Sequence, residues 1–165
     1  MASKNETKIV AEQGKQELFI IREFDAQREL VFKAFSDKDI LVQWVGPKEM
    51  QMRYELFEPK PGGSYRYVQS LPNGMAFGFH GVCHEHTTPE RIINTLEFEG
   101  LPEKGHAVLE TTKFEELPDG RTKVIVQSVF QSGADRDGMI QAGMETGVVA
   151  SHYRLDELIE SGQII

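Results

Sequence analysis

The sequence predicts an α+β fold: a curved antiparallel sheet of about six to seven strands around one long C-terminal helix, with two short helices after the first strand. Three observations predict it. Period-two alternation, punctuated by Gly and Pro turns, runs from residue 50 to residue 130. Residues 135–161 carry the longest helical pattern, with Ile140, Met144, Val148, Leu155 and Leu158 on one stripe that Ser151 interrupts. Strands are grouped and helices segregated, unlike the strand–helix alternation of a parallel sheet.

Taken in order, residues 1 to 15 are polar and expected to fray. Residues 16–24 read as a strand, with Leu18, Ile20, Arg22 and Phe24 on one face and Phe19, Ile21 and Glu23 on the other. Asp25 is the expected N-cap of a helix over 26–35, whose buried side is Leu30, Val31, Ala34 and Phe35. Asp37 caps a second short helix over 38–45, which Gly46-Pro47 ends. Strands follow at 50–57, 64–70, 75–86, 91–99, 107–116 and 122–130. Their turns are PKPGG, the Asn73-Gly74 hairpin, Thr87 to Glu90, the 100–105 loop and Pro118-Asp119-Gly120. The terminal helix starts at Asp135 or Asp137 and ends at Gly162.

Strict alternation gives the sheet one inner face: Tyr65, Tyr67, Phe77, Phe79, Leu96, Phe98, Phe114, Val124, Val126 and Phe130. The helix that covers this face is small in its middle, at Gly143, Gly147, Ala150 and Ser151. Close packing of helix on sheet explains small residues there, and so does room for a ligand; the two are compatible.

Bulk properties exclude several classes of function. A chain of 165 residues forms one domain, 1–165 with a core of about 7–160. A formal charge of −8 argues against nucleic acid and anionic membranes as partners. The single cysteine, Cys83, excludes an internal disulfide and fits a reducing compartment. The opening residues lack the apolar core of a signal peptide, and no window is apolar enough for a membrane helix. A cytoplasmic protein, monomer or homodimer, is expected.

Few residues suggest chemistry. His80, His84 and His86 lie at even spacing on one strand and should share its solvent face. Neighbours two apart on a strand lie nearly 7 Å from each other, too far for easy tetrahedral closure on zinc. No metal is expected. Glu110 and Thr112 alternate with Phe114, so Glu110 could act as an acid or base beside an apolar cavity; the simpler expectation is that a bulge or edge turns it outward. Asn94 alternates with Leu96 and Phe98 as a polar anchor. His152 is expected at the surface, with Tyr153 beside the helix stripe. Cys83 has no partner that would make it a nucleophile. No nucleophile elbow, phosphate loop or dinucleotide fingerprint occurs, so no cofactor and no catalytic residue is assigned.

Several segments together resemble a known family. Residues 22–32, REFDAQRELVF, are similar to the opening "R-x-F-D-A-P-R-E-L-V-F" of bacterial proteins related to the activator of the 90-kDa heat-shock chaperone ATPase, within the START-like (SRPBCC, Bet v-like) superfamily. Gln43-Trp44-Val45-Gly46-Pro47 resembles its "Q-W-W-G-P", and Pro61-Gly62-Gly63 with Tyr65 and Tyr67 its "R-P-G-G-x-[WF]-x-[FY]". Gly81, Pro89-Glu90-Arg91 with Thr95, Phe114-Glu115-Glu116, Gly120-Arg121-Thr122, Gly147 and Leu155-Asp156-Glu157-Leu158 match in order over roughly residues 7–160. The chain departs from the pattern at Gln27 (usually Pro), Lys60 (usually Arg), and at Val45, Leu96 and Val148, each in place of a Trp. The resemblance implies the helix-grip fold with an apolar cavity between sheet and helix, larger or differently shaped here.

The function expected first is therefore binding of a small apolar or aromatic molecule. Its cavity would be lined by Tyr65, Tyr67, Phe77, Phe79, Asn94, Leu96, Phe98, Glu110, Thr112, Phe114, Met144, Val148 and Ser151. Two alternatives stand beside it. One, implied by the resemblance, is a chaperone partner or stress-response protein, although that activity in the eukaryotic relatives uses an added N-terminal domain. The other is a cyclase or hydratase acting on an aromatic or polyketide-like substrate, which requires a buried acid or base.

Overall fold

The structure, a computed structural model, describes residues 5–164. Its elements are β1 (Lys8–Val10), β2 (Glu17–Phe24), α1 (Arg28–Ser36), α2 (Lys38–Trp44), β3 (Gln51–Phe57), β4 (Ser64–Ser70), β5 (Ala76–Thr87), β6 (Arg91–Phe98), β7 (Ala107–Glu116), β8 (Thr122–Val129), α3 (Gly133–Gln141) and α4 (Met144–Glu160). All strands form one antiparallel sheet in the order β1-β2-β8-β7-β6-β5-β4-β3. The sheet curves around α4, as the helix-grip fold requires. No helix among the described residues is long and apolar enough to cross a membrane.

The alternation reads through directly in β2, where Leu18, Ile20, Arg22 and Phe24 are all buried. Four expectations change. The opening segment does not simply fray: Lys8 to Val10 pair with Ile21 to Phe19 as an eighth strand, while residues 1–4 lie outside the described residues. Asp25 does not cap α1. The helix starts two residues later, behind an extended Gln27 that makes no side-chain cap bond, and Asp25 instead accepts from Asn5. Phe32 joins Val31 and Ala34 on the buried side of α1. Asp37 does cap α2, its carboxylate accepting from the Asp39 N–H at 2.9 Å.

The fourth change matters most for the site. The long helical pattern is two helices. Gly143, at φ +89°, ends one and opens the other. A left-handed backbone is cheap for glycine alone, so Gly143 sets the break. The start is capped by Ser132 rather than by Asp135 or Asp137: the Asp135 N–H donates to Ser132 Oγ at 3.0 Å. That leaves the Asp135 carboxylate free to meet His106 at 2.8 Å, tying the β6–β7 loop to α3.

Two apolar clusters hold helices to sheet. One gathers Phe24, Val31, Phe32, Trp44, Phe114 and Leu155 beneath α1, α2 and the end of α4. The other gathers Leu18, Ile20, Val108 and Phe130 near the start of α4. Between them the inner face of the sheet is only partly covered.

Candidate functional site

That uncovered stretch is a hollow with two lobes. One lobe, of about 180 Å³, lies between the α1–α2 segment and strands β3 to β7. The other, of about 460 Å³, lies between the sheet and α4. Both are lined by Phe35, Val45, Tyr67, Ile92, Asn94 and Glu110, so the lobes meet there. Walls are apolar and aromatic, and polar groups are few, the usual make-up of a small-molecule site.

The aromatic wall follows from alternation on neighbouring strands. Tyr65 and Tyr67 on β4 lie parallel with centroids 6.3 Å apart, and Tyr67 stacks on Phe79 of β5 at 5.0 Å. Tyr54, opposite Tyr67 on β3, meets it edge-on at 5.4 Å and 61°, so the tyrosines form a corner. Burial pushes the hydroxyls of Tyr54, Tyr65 and Tyr67 well above the ordinary tyrosine value, which keeps them neutral.

The polar centre is Glu110 with Asn94 directly across from it on β6. Glu110 points inward, against the simpler expectation. Strand β7 lies mid-sheet with unbroken register to both neighbours, so no bulge turns it out. Ser128 Oγ donates to Glu110 Oε2 at 3.1 Å. Burial nevertheless raises the carboxyl above the ordinary glutamate value. Asn94 donates to the Tyr65 hydroxyl and to the Thr95 carbonyl, each at 3.2 Å, and the Tyr65 hydroxyl donates to the same carbonyl.

The three strand histidines do not share a face. A β-bulge between Cys83 and Glu85 inserts one residue and reverses the side of everything after it. His80 and His84 stay exposed, and His80 Nδ1 meets Glu99 at 2.9 Å. His86 turns inward beside Cys83, packs edge-on against Phe32 at 5.3 Å and lines the first lobe. Cys83 is buried, and burial raises its thiol above the ordinary value.

On the helix side, a Cβ at Gly147 would meet nothing within 4 Å, so this glycine leaves space rather than packing tightly. Ser151 lines the second lobe, but its hydroxyl is engaged. It accepts from the Gly46 N–H at 2.9 Å and donates to the Gly147 carbonyl at 2.8 Å, joining α4 to the end of α2. Arg154 adds a donor to the Gly46 carbonyl at 2.9 Å.

His152 and Tyr153 exchange their expected places. Tyr153 is 43% exposed, whereas His152 is buried against Phe24, with Nδ1 2.7 Å from Thr7 Oγ1. Burial and then the nearby Arg22 charge lower His152 from an ordinary value of 6.5 to about 3. The folded protein therefore resists a proton that the unfolded chain accepts. This stability is full above pH 6.5 and is lost as pH falls toward 3. Between pH 7 and pH 5 the loss is about 2 kcal/mol. Glu110, shifted upward, acts in the opposite direction, gaining stability as it protonates. The His152 share is thus read as wild type minus His152→Gln in urea unfolding, and that difference should shrink by the same amount over this range.

Among the expected cavity residues, Tyr65, Tyr67, Phe79, Asn94, Leu96, Glu110, Thr112, Met144, Val148 and Ser151 line the two lobes. Three do not. Phe114 packs into the core against Phe32 and Phe35, beneath α1. Phe77 and Phe98 pair 6.2 Å apart beside a separate surface groove with Arg66 and Glu99. Alternation assigns a face but not a depth along it. Many lining residues were not anticipated, among them Tyr54, Phe35, Ile92 and His86. Ile92 was legible, since it alternates with Asn94, and Tyr54 faces Tyr67; the bulge that delivers His86 leaves no sequence signal.

The profile of the family described as "Activator of Hsp90 ATPase homolog 1-like protein" matches residues 25–160. A crystal structure of a Rhodobacter sphaeroides protein superposes with a TM-score of 0.85 at 23% identity, covering 94% of this chain and 99% of that one. A solution structure of an Arthrobacter aurescens protein gives 0.83 at 23%, covering 93% and 91%. The AHSA1 protein of Silicibacter pomeroyi gives 0.72 at 19%, covering 88% and 99%. At these identities the likeness is one of fold. Comparison with curated proteins finds no match.

Proposed function

The chain belongs to the activator of Hsp90 ATPase homologue 1-like family, and from that premise we propose that it binds a small, mostly apolar or aromatic molecule in the two-lobed hollow. One observation carries the proposal. At Val45, Leu96 and Val148 the chain has small aliphatic residues where the family pattern has Trp, and all three line the hollow. The open space at Gly147 enlarges the same lobe. Tyrosine rings form the floor, and Glu110 and Asn94 supply orientation.

Val148→Trp restores the bulk and tests this. The indole should fill the lobe beneath α4, lowering affinity for any occupant at least about tenfold while leaving the melting temperature unchanged or higher. Native mass spectrometry of protein from its own host, followed by solvent extraction, identifies the occupant. A bound mass in wild type that is absent from Val148→Trp supports the proposal. An apo mass, with no thermal shift across a broad set of lipids and aromatics, would sink it and move attention to the surface as a chaperone-binding face.

A further inference from the structure

We infer that the occupant of the hollow is a cation, an organic amine or ammonium whose nitrogen sits in the tyrosine corner facing Glu110. This rests on the binding proposal above and adds the ligand's charge to it.

Donor–acceptor accounting points that way. Both amide hydrogens of Asn94 and the hydroxyl hydrogen of Tyr65 already go to protein acceptors. Three polar atoms of the lining have no protein partner among the described residues: the Asn94 carbonyl oxygen, the Glu110 oxygen that Ser128 does not bond, and His86 Nε2. The hydroxyls of Tyr54 and Tyr67 can accept as readily as donate. Asn94 and Glu110 thus call for donors from a ligand, while His86 and these two tyrosine hydroxyls can meet either a donor or an acceptor.

Charge agrees. Among the described residues no lysine or arginine lines either lobe, so an anionic ligand would be desolvated with no counter-charge from them. Glu110 has no opposite charge beside it among the described residues; the factors acting on it are burial and one hydroxyl. An ammonium beside it would supply that charge and reverse the cost of its burial. Tyr54 stands edge-on to Tyr67 at 61° and Tyr67 is stacked between Tyr65 and Phe79, so Tyr54 and Tyr65 are the rings of this corner that can present a negative face to an ammonium. Glu58 adds a second carboxylate to the lining of the same lobe, and the chain's formal charge of −8 draws cations from a distance.

The test uses three probes with one ring system: naphthylmethylamine, naphthylmethanol and naphthoate, titrated into wild type by calorimetry near neutral pH. The amine should bind at least about tenfold tighter than the alcohol, with the carboxylate weakest. Glu110→Gln should bring the amine-to-alcohol ratio toward one. Equal affinities, or preference for the alcohol or carboxylate, overturn the inference while the hollow remains a binding site. Failure of all three to bind, with Val148→Trp indistinguishable from wild type, overturns both. The wild-type ranking decides the matter even if Glu110→Gln folds poorly.

Discussion

Replacing Asp156 with alanine is expected to lower stability by about 3–5 kcal/mol, among the largest losses a single change here can cause. Asp156 pairs with Arg22 across the gap between α4 and β2, with contacts of 2.5 and 3.1 Å. The side chains are 1% and 11% exposed, so the solvent screening that makes surface pairs weak does not apply. Arg22 also donates to the Glu23 carbonyl at 2.7 Å and lies 4.9 Å from the Phe24 ring centre and 5.8 Å from that of Tyr153. Its Nε already lacks a partner among the described residues. Removing the carboxylate leaves a buried guanidinium with one backbone acceptor, and the cost of that unpaired charge dominates the loss. A paired replacement separates this from the pair's own contribution. Arg22→Met with Asp156→Leu removes both charges and should recover most of the loss in urea unfolding, because a buried ion pair offsets little more than its own desolvation. An Asp156→Ala loss below about 1 kcal/mol would show that water reaches Arg22 and that the pair is not structurally dry.

The same pair marks where sequence reasoning stops. Alternation placed Arg22 among Leu18, Ile20 and Phe24, and that face is correct. Nothing local reveals that its partner lies 134 residues away on α4. A charged residue on an apolar face is legible as an anomaly, but its resolution is tertiary. His152 is the converse case. A helical pattern that is polar around Ser151 suggests exposure, yet the fold sets His152 against Phe24 and Thr7. Strands β2 to β8 and their succession along the chain were legible because turns and alternation are local properties; β1, three residues in a polar opening segment, was not. The bulges at Cys83/Glu85 and Tyr54/Leu56 were not, because an extra residue in one strand is defined only against its partner. One unseen bulge was enough to put His86 on the wrong face. Glu110 was misjudged for the opposite reason: a carboxylate is expected to find an exit, and a central strand in register offers none.

Gly81→Ala is expected to cost about 3 kcal/mol, the upper end of ordinary overpacking, and to disturb the tyrosine wall as well as the sheet. Gly81 sits on β5 opposite Tyr65, whose hydroxyl reaches across it to the Thr95 carbonyl on β6. Pairing between β5 and β6 lapses here, between the His80–Glu97 and Cys83–Asn94 pairs. Side chains take over the ladder: Thr95 Oγ1 accepts from the Val82 N–H at 2.9 Å, while Tyr65 and Asn94 serve the Thr95 carbonyl. A Cβ on residue 81 would lie 2.0 Å from that carbonyl oxygen and 2.6 Å from the Tyr65 hydroxyl. The nearer clash is with backbone, so a rotamer change cannot relieve it; β6 must move or the Tyr65 bond must break. Tyr65→Phe distinguishes the two clashes. Alone it removes one hydrogen bond, worth about 1 kcal/mol. Combined with Gly81→Ala it should restore little, since the carbonyl contact persists. Full restoration would mean that the hydroxyl, not the backbone, is what alanine meets. In either case affinity for the aromatic probes should fall together with stability, because the atom that forces glycine at 81 is the same one that holds Tyr65 in the wall of the hollow.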